Sequence, residues 1–346
     1  MVSQKRDHSQ TNTASYISSF LKEKSKVIVL SLGIGIAVLL LLALLVADRS
    51  AVAGIVSRFT FKTLGTVFLF CLANYLLRFA KWHYYLREMR LPVGILSSAA
   101  IFFSGLAMSP TPARSGELLK TYWLKNLHNA DASQSASIVV SEWVTDSLGA
   151  VILAAAGAMV FECGRSILGI VAGMLIFFLV MLRVEKLAVF LLNRLKNTAL
   201  ARFSDRLRKA YLSARQLLDL KNLAAATLIS LGSWSMEVCG LAYLLRGMQM
   251  PVGFLKAAFV FCFASILGTL TMFPAGVGVV ESGMVGLLML VDGPRNEAVV
   301  ATAVIRAGTL WLGVIIGLFC WAYLFSRHFF DLPGEDNTTE ITQQEQ

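Results

Sequence analysis

Charged residues are scarce in this sequence: 15% of 346, where a soluble domain carries about 25%. That shortage excludes an ordinary water-facing globule. Histidine is scarcer, with four (His8, His83, His128 and His328), and all fall outside the centres of the apolar runs. The sequence therefore offers no histidine-based metal cluster. The five cysteines, Cys71, Cys163, Cys239, Cys262 and Cys320, show no C-x-x-C spacing. Four of them lie inside apolar runs and read as small buried residues rather than redox or metal ligands. No nucleophile motif and no nucleotide-binding loop is present. The reading is a protein that is not an enzyme and takes no cofactor and no metal.

What the sequence has instead is apolar length. Hydrophobic residues make up 56% of the chain, and several runs reach the roughly 20 residues needed to cross a bilayer. The clearest is Val27–Ala47, "VIVLSLGIGIAVLLLLALLVA". A polar stretch precedes it, it is too long for a signal-peptide core, and no small-residue cleavage site follows closely, so it reads as a retained span. Six crossings are expected, at about 27–47, 62–86, 134–160, 166–190, 222–246 and 297–325.

Two further apolar regions do not fit as single spans. Region 94–125 is interrupted by "SPTPARSGE" and region 254–291 by "FPAGVGVVE". Proline removes a backbone donor, and glycine permits turns that other residues resist. In hydrocarbon, broken backbone is tolerated only when it is buried in protein or lines a cavity. Each region is expected to be a re-entrant helical hairpin, turning at Pro110, Pro112 and Gly116 in the first and at Pro274, Gly276 and Gly278 in the second. Two short crossings in each region are the alternative.

The net charge of +10 suggests cytoplasmic loops and anionic lipid headgroups rather than nucleic acid. Ten Lys and Arg residues fall in Arg183–Lys221, five in the N-terminal tail and three in Lys81–Arg90. The positive-inside rule then places both termini in the cytoplasm. The expected organisation is a polar cytoplasmic tail at 1–26, a transmembrane domain at 27–325 and a disordered cytoplasmic tail at 326–346. Segment 183–221 is either an amphipathic surface helix or a solvated basic loop.

The two broken regions can be laid over each other. An offset of 164 carries Pro110 to Pro274, Glu117 to Glu281, Glu142 to Arg306 and Gly149 to Gly313 without a gap. Repeat A would run over about 62–160 and repeat B over about 222–325. Three crossings separate equivalent points, so the copies would be inverted and the hairpins would enter from opposite faces. The fold class is all-α, with about six transmembrane helices plus two re-entrant helical hairpins in an inverted repeat. Such repeats with broken helices form a recurring transporter plan with its site near the midplane.

Six ionisable residues concentrate around the hairpins: Arg114, Glu117, Glu142, Asp146, Glu281 and Arg306. At roughly +2.5 to +3.5 kcal/mol for each isolated charge at a helix centre, lipid exposure of all six would cost on the order of 15–20 kcal/mol. That exceeds the total stability of about 5–15 kcal/mol that is usual for a protein. They must pair or face a wet cavity. Glu142 and Asp146 are four apart, on one helix face. One reading is a structural ion network locking the helices together. The other is a polar cavity for a charged headgroup, in which arginine suits phosphate through its planar fork. Arg78 and Glu237 read as more peripheral, structural or snorkelling residues.

At these residues the sequence resembles the transmembrane region of lysylphosphatidylglycerol synthases, a family of flippase-like membrane proteins. The resemblance rests on "LLRFAKW" (76–82), "PARSGE" (112–117), "EWVTD" (142–146), "PAGVGVVE" (274–281) and Arg306, in order over about 70–320. Lys81 stands where arginine is common in that family, Ala275 where glycine is usual and Val280 where a basic residue is usual. The resemblance implies lipid handling in the bacterial inner membrane: translocation of a phospholipid, or of a polyprenyl or hopanoid-type lipid, with a charged headgroup. A membrane lipid is the expected partner and a separate lipid-synthesising enzyme a further candidate. The tail after the last span is too short for the family's synthase domain, so synthesis of lysyl-lipid is not expected. A headgroup-modifying enzyme and a non-transporting scaffold are the alternatives.

Overall fold

The computed structural model describes residues 54, 55, 60–111, 116–160, 169, 173, 213–250, 252–271, 273–291 and 293–330. The expected span 27–47, nearly all of 166–190, the N-terminal tail, residues 331–346 of the C-terminal tail, most of the basic segment, Pro112 and Arg114 lie outside the described residues, whereas 326–330 of the expected tail continue the last helix. Those described form helices and turns, in the order α1 (Phe61–Glu88), α2 (Ile95–Leu106), α3 (Leu119–His128), α4 (Ala132–Ala158), α5 (Leu220–Gly247), α6 (Phe254–Leu270), α7 (Val279–Leu290), α8 (Arg295–Arg306) and α9 (Leu312–Phe330). A π-helical turn, Ala307–Trp311, joins the last two.

Among the described residues, four helical runs are long and apolar enough to cross a membrane: α1, α4, α5 and Arg295–Ser326. Their ends fall within two residues of the expected spans at 62–86, 134–160, 222–246 and 297–325. The two interrupted regions are pairs of short helices, α2 with α3 and α6 with α7. Twelve residues at 1.5 Å each give α2 and α7 a length of about 18 Å, short of a hydrocarbon core of about 30 Å.

The elements of the first half recur in the second. Helices α1 and α5 each have 28 residues. Each ends on a left-handed residue, Arg90 at φ 55° and Gln249 at φ 61°. The chain is then caught by a backbone bond to a carbonyl near the helix end, Leu91 to Leu86 at 3.0 Å and Met250 to Leu245 at 3.0 Å. The local sequences are "RLPVG" at 90–94 and "QMPVG" at 249–253. Proline cannot continue the helix, which fixes the stop. Val93 and Val252 then turn inward and are buried.

These turns are 159 residues apart, whereas the hairpin glutamates Glu117 and Glu281 are 164 apart. The offset of 164 relates residues from Pro110 onward, whereas the corresponding helix ends before the breaks stand 159 apart. The difference of five is the difference in length between α6, with 17 residues, and α2, with 12.

The halves are interlocked. Helices α1 and α5 pack on each other, α2 packs on α9 of the other half, and α6 packs on α4 of the other half. Glycine permits both crossed contacts. A β-carbon on Gly157 of α4 would collide with the backbone of Leu255 and Phe259 in the first turns of α6. One on Gly317 of α9 would collide with the backbone of Ala107 at the end of α2. Each hairpin is thereby fixed with its break facing the centre of the bundle.

Candidate functional site

The first hairpin break is closed by small polar groups. The Thr111 hydroxyl donates to the Met108 carbonyl at 2.8 Å, and the Gly116 amide donates to that hydroxyl at 2.7 Å. A β-carbon on Gly116 would collide with Met108, so the tight turn requires glycine. Pro110 is buried within it. The turn delivers Glu117 and, one helical turn on, Lys120.

These two residues join a circuit of alternating charge with α1 and α4. Arg78 Nη2 lies 4.0 Å from Glu117 Oε1 and 3.5 Å from Asp146 Oδ2. Lys120 Nζ lies 3.5 Å from Glu117 Oε2 and 2.7 Å from Glu142 Oε2. Lys81 closes the circuit by donating to Asp146 Oδ1 and to the Glu142 carbonyl, the latter at 3.5 Å. Among the described residues, three cations thus stand against three carboxylates. Lys81 is fully buried, and further hydrogen bonds to Ser230 Oγ at 2.8 Å and Thr145 Oγ1 at 3.3 Å occupy its ammonium. Lys120 is 1% exposed and sits over the rings of Trp82 and Phe102, at 4.8 and 5.1 Å from their centroids. Its stem lies over Gly105, where a β-carbon would come 2.8 Å from Lys120 Cγ. Neutral pairing of this kind is what makes buried ions tolerable in an apolar bundle.

The second hairpin is organised differently. Glu281 stands in the first turn of α7, where a carboxylate is favoured by the helix dipole. One oxygen accepts from the Gly278 amide at 2.7 Å and the other from Arg306 Nε at 2.7 Å. Arg306 Nη2 also donates to the Ala275 carbonyl at 3.0 Å. Glu281 and Arg306 therefore tie the break to α8. The break turns through three left-handed residues, Ala275 at φ 54°, Gly276 at φ 62° and Gly278 at φ 84°. Pro274 begins its short 3-10 turn.

Between the hairpins lies a cavity of about 140 Å³. Ser109 and Thr111 of the first break reach it, as do Ala275 and Gly276 of the second. Among the described residues, its charged lining is Arg78 from α1, Asp146 from α4, Glu237 from α5 and Arg306 from α8. Thr309 in the π-helical turn also lines it. Such turns are rare and are found often at functional sites. Arg78 Nε, Asn74 Oδ1 and Thr309 Oγ1 are polar atoms on lining residues with no hydrogen-bond partner among the described residues.

The structure thus sorts the candidates from the sequence. Asp146 and Arg306 line the cavity, while Glu117, Glu142 and Glu281 stand behind it in ion pairs. Arg114 lies outside the described residues. Arg78 and Glu237, read from sequence as peripheral, face the centre. Lys120 was not among the candidates, although its place three residues after Glu117 was the available signal.

The family model for the lysylphosphatidylglycerol synthase TM region matches residues 28–317. No curated protein matches the chain.

Proposed function

The chain belongs to the lysylphosphatidylglycerol synthase TM region family, and on that premise we propose that this multi-pass membrane protein translocates a lipid with a charged headgroup between leaflets. The lipid is a phospholipid or a polyprenyl or hopanoid-type lipid. The headgroup crosses through the central cavity while the tails stay in the bilayer. The observation that carries this reading is the position of the cavity: both hairpin breaks line it, together with charges of both signs. A structural ion lock needs no such space at its centre.

The crossed packing of α2 on α9 and α6 on α4 supports an inverted repeat, with hairpins entering from opposite faces. Such a pair would alternately open the site to each leaflet. In this reading the protein sits in the bacterial inner membrane with both termini in the cytoplasm. It performs no chemistry on the lipid and receives its substrate from a separate lipid-synthesising enzyme.

Reconstitution into liposomes tests the proposal. Exchange of a headgroup-labelled lipid between leaflets, with its mass unchanged, is the expected result. A lipid of altered mass would mean a headgroup-modifying enzyme, and intact lipid without exchange would leave a scaffold.

A further inference from the structure

Among the atoms of the cavity lining that have no hydrogen-bond partner among the described residues, Asn74 Oδ1 is the most specific in what it asks of a ligand. Asn74 is 2% exposed and lies in the middle of α1. Its amide nitrogen donates to the Ser233 carbonyl of α5 at 2.9 Å. A backbone carbonyl only accepts, so the amide cannot be turned round, and its oxygen is the atom left over. That oxygen accepts and never donates. It therefore asks for an O–H or an N–H. A phosphodiester offers only acceptors and a trimethylammonium group offers neither, so neither serves it.

Arg78 asks for the opposite. Its Nε–H only donates and has no partner among the described residues. Arg78 follows Asn74 by four residues on one face of α1, which sets their β-carbons about 5–6 Å apart. A donor and an acceptor are thus wanted one helical turn apart. Thr309 Oγ1, unpartnered among the described residues, both donates and accepts. Its π-helical turn is held against α1 at this level, because Tyr75, next to Asn74, donates to the Gly308 carbonyl at 2.8 Å. A hydroxyl both accepts and donates, so a headgroup with hydroxyls on adjacent carbons meets all three atoms. The size agrees: a cavity of about 150 Å³ admits benzene, so one of about 140 Å³ holds roughly six heavy atoms, the size of glycerol. A saccharide chain exceeds it.

We propose that the cavity selects a small polyol headgroup of about the size of glycerol, and that Asn74 determines this specificity. Asn74 Oδ1 accepts from a headgroup hydroxyl, Arg78 Nε donates to a neighbouring oxygen, and Thr309 bonds a further hydroxyl. The inference names the headgroup of the lipid in the translocation proposed above and rests on that reading. Selection comes from the bond left unmade, since an analogue without the hydroxyl leaves Asn74 Oδ1 buried and unpaired. Asn74 is uncharged, so selection at this atom is independent of how the ion pairs around it are shared.

The test titrates the purified full-length chain in detergent with two short-chain lipids of equal charge and nearly equal size, phosphatidylglycerol and phosphatidylpropanol. They differ only in headgroup hydroxyls. Phosphatidylglycerol should bind about tenfold more tightly, the worth of one buried hydrogen bond. Asn74→Leu keeps the volume and removes the acceptor, so both lipids should bind at the weaker affinity and the preference should vanish. Thr309→Val keeps the shape and should reduce the preference severalfold. A merely structural Asn74 would alter stability and leave the ratio between the lipids intact, and that result overturns the assignment. Equal affinity of the unaltered protein for the two lipids overturns the proposal whether or not a variant folds, because water then serves the three atoms. Failure to bind phosphatidylglycerol overturns it as well. Short-chain phosphatidylethanolamine bound as tightly as phosphatidylglycerol does so too, since any donor then suffices. Leaflet exchange in liposomes separates this inference from the translocase. Exchange at equal rates for both lipids sinks the selection and leaves the translocase. Preferential binding of phosphatidylglycerol without exchange sinks the translocase and leaves the polyol site.

Discussion

Arg78 and Glu237 occupy the same position in the two halves with opposite charge. Each is the eighteenth residue of a 28-residue helix, α1 from Phe61 and α5 from Leu220, and both line the central cavity. The exchange recurs three helices on, where Glu142 of α4 corresponds to Arg306 of α8 at the 164-residue offset. Among the described residues, each half therefore contributes one arginine to the cavity, Arg78 from α1 and Arg306 from α8. Strict symmetry would have placed like charges opposite each other, at a cost in low dielectric.

Lys120 should be indispensable to the fold because of its partners. Lys120→Met leaves Glu142 and Glu117 buried with a cation fewer, and loss of about 3–5 kcal/mol is expected, the usual cost of breaking a buried pair. Adding Glu142→Leu removes the stranded charge and should recover most of that loss. Chemical denaturation in micelles, run as a double-mutant cycle, measures the recovery. Equal losses in the single and double variants would mean that the pair is not the source of the stability.

Ala275 should be a site where glycine stabilises. The residue is left-handed at φ 54°, where a β-carbon costs about 1–2 kcal/mol. Ala275→Gly removes that strain but adds freedom to the unfolded chain, so a net gain of about 0.5–1 kcal/mol is expected. The carbonyl that accepts from Arg306 belongs to the backbone and is retained. Thermal unfolding in detergent should show a higher midpoint; a lower one would mean that the alanine methyl makes contacts worth more than the strain.

Four of the six expected spans and the breaks in the two interrupted regions were legible because both depend on local composition. Twenty apolar residues specify a crossing, and proline with glycine inside such a run specifies a break. Left-handed Ala275 was half legible, since the resemblance marked it as a position where glycine is usual. The central charges were legible as a set, because few ions occur in the apolar runs, but their pairing was not. Lys120 meets Glu142 across 22 positions in sequence and Lys81 meets Asp146 across 65, and only the packing of α1, α3 and α4 creates those neighbours. Arg78 looked peripheral because it stands some ten residues from the end of α1, at a depth consistent with snorkelling. The five-residue change of register was hidden in α6, whose added apolar residues resemble the rest of the helix.

Gly157 and Gly317 should be equally intolerant of size. Each lets a long helix touch the backbone of the other half's hairpin. Gly157→Val and Gly317→Val should each destabilise by about 1–3 kcal/mol or more, the range for overpacking, because the obstructing atoms are backbone. Cross-linking between cysteines introduced on either side of each contact should fall in parallel. A neutral result at one glycine and a large loss at the other would show that the two hairpins are not held alike.

The opening pair provides the sharpest separation of binding from stability. Arg78→Lys keeps the positive charge beside Glu117 and Asp146 but loses the planar fork, including the buried Nε that has no partner among the described residues. Lysine's compact ammonium can still satisfy the carboxylates, so stability should fall by no more than about 1 kcal/mol. Binding of an anionic lipid should weaken about tenfold, the worth of one charge-assisted hydrogen bond at the lower end of its range. Glu237→Gln keeps size and hydrogen-bonding capacity while it removes a negative charge from the same lining. Anionic lipid should then bind severalfold more tightly, since repulsion across a partly dehydrated cavity is relieved. The two changes are thus expected to move affinity in opposite directions at one site. Titration of both variants with short-chain phosphatidylglycerol at matched ionic strength and pH measures this. If Arg78 and Glu237 served only to hold helices together, both would lower the unfolding midpoint and neither would change the affinity. If the cavity accepted a cationic headgroup instead, the signs would be reversed with a positively charged lipid as probe: Glu237→Gln would weaken binding and Arg78→Lys would leave it unchanged.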